Sequence, residues 1–125
     1  MEQPFDPEPL LRLAEELATP GEDGEEAPEI KLRAAVGRAY YAVFHVARER
    51  TGVIDREGIH ATVVYQVRRR YGHIVGEKQN RIKLMREVAD YEFPPIDSAF
   101  SDWQKNWTDV RLLSAQVLEK LKNPR

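Results

Sequence analysis

Arg38 and His45 stand seven residues apart in an uninterrupted stretch, Lys31–Arg50, KLRAAVGRAYYAVFHVARER. In a helix seven residues make two turns and about 10.5 Å of rise, so the two side chains share nearly one face. An arginine grips a phosphate through a planar fork of N–H donors, and a histidine moves a proton near neutral pH. That pairing fits chemistry on a phosphodiester, with Arg38 and His45 as candidate catalytic groups and Tyr41 on the same stripe as a candidate contact. The competing reading makes both satisfied polar residues at the edge of a core.

A second pair, Arg68 and His73, has a similar spacing. In a continuous helix those five residues put the side chains about 140° apart, so Gly72 would have to break the helix and turn His73 back. Arg68 and Arg69 are candidate phosphate contacts, and they equally suit the negative end of a helix dipole. Arg86 and Asp90 are four apart and able to pair on one helix face. They are candidate binding residues or, alternatively, a plain ion pair that orients Tyr91 in the core. His60 opens a helix, where it could contact an anion. Position 64 is valine, so His60 lacks the partner one turn on that a zinc pair needs. With no cysteine, no ligand cluster and no glycine-rich phosphate loop, neither a metal nor a cofactor is expected.

The elements that must position these groups read as helices throughout. A first helix starts at Asp6 as N-cap with Pro7 in its first turn, buries Leu10, Leu13, Ala14 and Leu17, and stops at Thr19-Pro20-Gly21. Residues 20–29, PGEDGEEAPE, form a flexible acidic loop or an acidic lid over the basic helix that follows. That helix buries Leu32, Val36, Ala39, Tyr40, Val43 and Ala47 and ends at Gly52. A third helix covers Ile59–Tyr71, with Ile59, Val63, Val67 and Tyr71 four apart, and Gly72 ends it. A loop containing Gly76 leads to a fourth helix, Lys78–Tyr91, with Leu84, Val88 and Tyr91 in line. Pro94-Pro95 breaks the chain, and a fifth helix runs from Asp97 to Leu121. Its stripe carries Trp103 and Trp107, which reads as core more readily than as a base-stacking platform. No strand pattern or internal repeat is present. The fold expected is a single all-α domain over 1–125, an antiparallel bundle of about five helices.

Charge is unevenly spread. The net of −2 combines a strongly acidic residues 1–30, with ten acids and one base, and a basic middle, residues 31–90, with thirteen bases and six acids. The basic middle can attract a polyanion, while a pI near 5.9 argues against strong non-specific nucleic-acid binding. The absence of cysteine, of a membrane-spanning apolar run and of a basic-then-apolar leader makes a cytoplasmic protein the expectation.

Three features in order carry a resemblance. The run RAYYAVFHVA at Arg38–Ala47 resembles the Arg-Ala-Tyr-Tyr-Ala segment of bacterial and archaeal HEPN-domain proteins. His60 at the next helix start and Arg86 followed by Ala89-Asp90-Tyr91 fit the same family, over roughly residues 5–122. The resemblance implies a helical bundle that commonly forms a homodimer and is linked to RNA or nucleotides. It also implies a metal-independent ribonuclease, whose signature is an arginine, four to six residues and a histidine. The function expected is such a ribonuclease or the toxin half of a toxin–antitoxin pair, with a small nucleotidyltransferase as its natural partner. Here the Arg/His spacing occurs ahead of the last helix, and no histidine follows Asp90, whereas the nuclease members carry it near their last helices. A non-catalytic module that binds a nucleotide or that partner is the alternative. The sequence leaves open whether Arg38/His45, Arg68/His73 or neither forms the site.

Overall fold

The computed structural model describes residues 3–54 and 56–122. It is an all-α bundle of five helices: α1 (Glu8–Ala18), α2 (Glu29–Thr51), α3 (Ile59–Tyr71), α4 (His73–Tyr91) and α5 (Trp103–Leu121), with a 3₁₀ turn at Ser98–Phe100 before α5. Among the described residues no helix is long and apolar enough to cross a membrane.

The twenty-three-residue α2 is central, packing against the other four helices. Its buried face is built largely from small residues, Ala35, Gly37, Ala39, Ala42 and Ala47, which let neighbouring helices approach closely, with Leu32, Val36, Tyr40 and Val43 filling the space between. Glu29 at the start and Arg48 and Arg50 at the end complement the helix dipole. Gly52 closes the helix in the left-handed region (φ 70°), a conformation that costs glycine little.

Contacts along α2 set the directions of its neighbours. Phe5, just before α1, meets His45, so α1 runs antiparallel to α2. Arg33 reaches the carbonyls of Val88 and Ala89 while Arg86 lies over Tyr40, so α4 is antiparallel too. By contrast Tyr40 bonds His60 and the Arg50 carbonyl accepts from Arg70, so α3 runs in the same sense as α2. The chain after Thr51 must therefore return along α2. Seven residues reach about 23 Å extended, and the last eleven residues of α2 span only about 16 Å, so the return is feasible.

Three helix starts differ from the sequence expectation. α1 begins at Glu8, with Pro7 rather than Asp6 at the cap position and Asp6 Oδ1 accepting the Glu8 N–H at 3.0 Å. α4 begins at His73, five residues ahead of Lys78, because Gly72 (φ 105°) alone reverses the chain and the next helix starts at once. Gly76 is therefore not a loop glycine. It sits inside α4 where a Cβ would stand 2.7 Å from the Arg68 Cβ and 2.9 Å from its Cα, so the α3–α4 crossing requires its bare backbone. The start of α5 is likewise later than Asp97. Asp97 caps the 3₁₀ turn by accepting the Ala99 N–H at 2.9 Å, and Asp102 caps α5 by accepting the Lys105 N–H at 3.1 Å.

Burial follows the expected stripes on α2, α3 and α5, with Trp103 and Trp107 in the core. On α4 the line of Leu84, Val88 and Tyr91 is wrong at both ends. Leu84 is half exposed and Tyr91 is 75% exposed, while Val75, Gln79, Ile82, Met85, Arg86 and Ala89 face inward. Leu13 of α1 is similarly more exposed than its stripe implied. Residues 20–28 form a loop closed by Gly21 N–H to the Glu25 carbonyl at 2.8 Å, with Ala27 buried against the core.

Candidate functional site

Where α2, α3 and α4 meet, aromatic rings and ionisable groups form one seam. Tyr40 is fully buried, and its hydroxyl and His60 Nδ1 share a short hydrogen bond. His60 is held in place by the first turn of α3 and lies against Phe44, with ring centroids 4.4 Å apart. Arg86 of α4 lies over the Tyr40 ring at 5.0 Å and the Tyr41 ring at 5.8 Å, cation–π distances. One turn further on, Asp90 Oδ2 accepts from Arg86 Nη1 at 3.4 Å. Tyr41 continues the seam to His45 at 6.0 Å, and His45 packs against Phe5 at 5.1 Å. The Phe5 N–H donates to Glu49 Oε2, which fixes the segment ahead of α1 over this end of the seam.

Electrostatics keep both imidazoles neutral. Burial lowers the His45 pKa below its usual 6.5, and the nearby Arg48 charge lowers it further. His60 is lowered by burial, then by Arg86 and Lys83, with Glu87 acting the other way. The Tyr40 hydroxyl is pushed well above the usual tyrosine range, chiefly by burial, so it stays a neutral donor and acceptor. For Arg86 burial opposes the charge, but Tyr41, the Asp90 hydrogen bond and Tyr40 outweigh it, and the pKa is raised. Arg86 is therefore a 7% exposed permanent cation whose Nε has no hydrogen-bond partner among the described residues. With the Arg86 charge beside its oxygen, Tyr40 is disposed to donate to His60 Nδ1, which leaves Nε2–H as the free edge of His60.

The structure thus brings together Tyr41, His45, His60, Arg86 and Asp90 from the residues singled out in sequence. Asp90 does pair with Arg86, yet it does not orient Tyr91 in a core, because Tyr91 points to solvent. Arg38 is exposed on the same helix, and no hydrogen bond, ion pair or ring contact among the described residues joins it to His45. Arg68 and Arg69 lie elsewhere: Arg68 pairs with Glu77 of α4, and Arg69 stands 5.9 Å from the Tyr65 ring. His73 is exposed at the start of α4, and no hydrogen bond, ion pair or ring contact among the described residues joins it to Arg68.

Tyr40 and Phe44 belong to the seam although the periodicity marked Tyr40 only as core. The tyrosine at a buried stripe position was the available signal, since a buried phenol needs a polar partner. Among the described residues no group of three or more His, Cys, Asp or Glu is placed to hold a metal ion. A cleft of about 870 Å³ lies away from the seam, between α4 and α5, and a smaller one lies between α1 and α5. No protein-family model, curated protein or solved structure matches this chain, so its function is read from the geometry of this face.

Proposed function

We propose that the chain is a HEPN-type protein that acts on RNA as a metal-independent ribonuclease, working at the seam of α2, α3 and α4. The observation that carries this reading is the convergence of two neutral imidazoles, His45 and His60, with the buried Arg86 cation on one partly exposed face. It gains from where the HEPN-like features fall: the Arg38–Ala47 run on the central helix, His60 at the start of α3, and Arg86 and Asp90 at the end of α4.

In this reading Arg86 and the His60 Nε2–H hold a phosphodiester, and the exposed Arg38 extends a second fork towards it. His45 takes the proton from a ribose 2′-hydroxyl. The 2′-oxygen attacks the adjacent phosphorus, the P–O5′ bond breaks, and the departing oxygen takes a proton from water. The products are a 2′,3′-cyclic phosphate and a 5′-hydroxyl. Charge growing on the phosphate oxygens is met by the guanidinium groups. A homodimer would set two such faces together, and a nucleotidyltransferase antitoxin would be the natural partner of such a toxin.

RNA cleavage by the purified protein in EDTA tests this. His45→Ala removes proton transfer and should lower the rate by about 10²–10⁴, and Arg38→Ala should also lower it, with both variants folded by circular dichroism. Wild-type protein that leaves RNA intact, or variants that cut as fast, would overturn the assignment. A second reading, a non-catalytic module for a nucleotide or a partner protein, is favoured by the lack of any hydrogen bond, ion pair or ring contact between Arg38 and His45 among the described residues; binding of RNA or nucleotide without cleavage would establish it.

A further inference from the structure

One end of the bundle collects the C-termini of α2, α3 and α5 and the N-terminus of α4. Arg70 donates to the Arg50 carbonyl at 3.2 Å, Gly72 joins α3 to α4, and a cleft of about 870 Å³ opens between the start of α4 and the last turns of α5. Its floor is apolar, with Tyr71, Val75, Ala115 and Val117, and its rim carries His73, Lys78, Lys120 and one acid, Glu119.

We propose that this end is a docking surface for single-stranded RNA, one base entering the cleft while the phosphates run along Arg50, Arg69, Arg70, Lys78 and Lys120. This rests on the RNA-directed reading above and extends it to a second surface.

Among the described residues none of those five cations is within ion-pair distance of a carboxylate. The acids at this end are otherwise engaged. Glu77 holds Arg68, Glu119 holds Lys122 at 3.5 Å, and Glu49 accepts from the Phe5 backbone. Helix dipoles account for bases at the ends of α2, α3 and α5, but not for Lys78 in the second turn of α4. Half-exposed Tyr65, with the Arg69 guanidinium beside its ring, adds an aromatic face next to the charges, the combination that single strands use for stacking and backbone contact. The cleft requires a base swung clear of its neighbours, which a single strand offers and a duplex does not.

The test is fluorescence anisotropy of a labelled, uridine-rich single strand with the full chain across a salt series, using the triple variant Arg69→Gln/Arg70→Gln/Lys120→Gln. All three side chains are exposed, and Arg70 gives up one bond to the Arg50 carbonyl, so the circular dichroism and melting temperature of the variant are required to match wild type. Losing three phosphate contacts should flatten the log–log salt slope by about 2 and weaken low-salt binding at least about tenfold. Ile74→Glu, at an exposed position lining the cleft, should weaken binding without removing a cation. A duplex of the same sequence should compete poorly. Unchanged affinity and slope in the triple variant, or a duplex that competes as well as the single strand, would overturn the proposal. Binding and cleavage are read separately. RNA bound with these effects but left uncut sinks the ribonuclease reading and keeps the docking surface. RNA cut in EDTA by a triple variant of unaltered affinity and slope does the reverse.

Discussion

Two buried arginines sit on facing helices, each against aromatic rings, and they are in different situations. Arg33 of α2 is 2% exposed and makes three hydrogen bonds, with its Nη2 left unpartnered among the described residues. Its Nη1 donates to the Val88 and Ala89 carbonyls at 3.1 and 3.0 Å, its Nε donates to Glu29 at 3.0 Å, and its guanidinium lies between the Phe93 and Trp103 rings at 3.8 and 4.3 Å. It caps the C-terminal carbonyls of α4, where a cation is also favoured by the helix dipole. Arg86 of α4 has one long contact to a partly exposed Asp90, a buried Nε without a partner, and two tyrosine rings for company. Burial alone therefore does not identify a functional arginine. Each keeps one buried nitrogen unpartnered among the described residues. What distinguishes the two is what the rest of the guanidinium holds, two backbone carbonyls and a carboxylate for Arg33 against one long contact to an exposed carboxylate for Arg86.

Mutations on either side sharpen that contrast. Trp103→Ala removes the ring beneath Arg33 together with a core side chain and should cost about 3–5 kcal/mol in denaturant unfolding. Arg33→Met keeps the packing volume but strands the Ala89 carbonyl, the Val88 carbonyl keeping the Glu92 N–H at 3.1 Å, and should cost about 1–3 kcal/mol. Arg86→Met should move stability by no more than about 1 kcal/mol, because it also removes an unpaired buried donor and leaves Asp90 in contact with water. The same variant should abolish EDTA-resistant RNA cleavage. A large stability loss there, equal to that of Arg33→Met, would make the two arginines alike and erase the distinction.

The smallest effect is on pH dependence. His45 and His60 have folded pKa values below the 6.5 of the unfolded chain. Their contribution to stability is full above that value and is lost as pH falls through the lowered folded values. The melting temperature should therefore drop on acidification below about pH 6.5, and His60→Gln should flatten the slope. A melting temperature that is level through this range, or a slope unchanged in His60→Gln, would contradict the lowered pKa values.

Much of the fold is legible from local pattern. Gly52 and Gly72 mark helix ends, and the tryptophans of α5 lie on an apolar stripe because the helix buries one side. The start of α4 was hidden because Gly72 suffices as a joint, and Gly76 looks like a turn residue when its role is the close approach to Arg68. The buried face of α4 was hidden because it places Gln79 and Arg86 among its apolar residues. Tyr41 and His45 could be seen as neighbours because helical spacing makes them so. The bond from Tyr40 to His60 and the stacking of Arg86 on Tyr40 depend on how three helices dock, which no local spacing encodes.

The single-residue joint at Gly72 also makes the seam a gauge of assembly. α3 and α4 form a short-looped hairpin, registered by Gly76 against Arg68 and by the Arg68–Glu77 pair, so closing it costs little chain entropy. That hairpin carries His60 and Arg86, while α2 carries Tyr41 and His45. A partial opening that lifts the hairpin off α2 as one cooperative unit would part the two imidazoles while leaving nearly all helical hydrogen bonds intact. Loss of chemistry should then precede loss of helicity on gentle denaturation, and amide exchange in α3 and α4 should rise together.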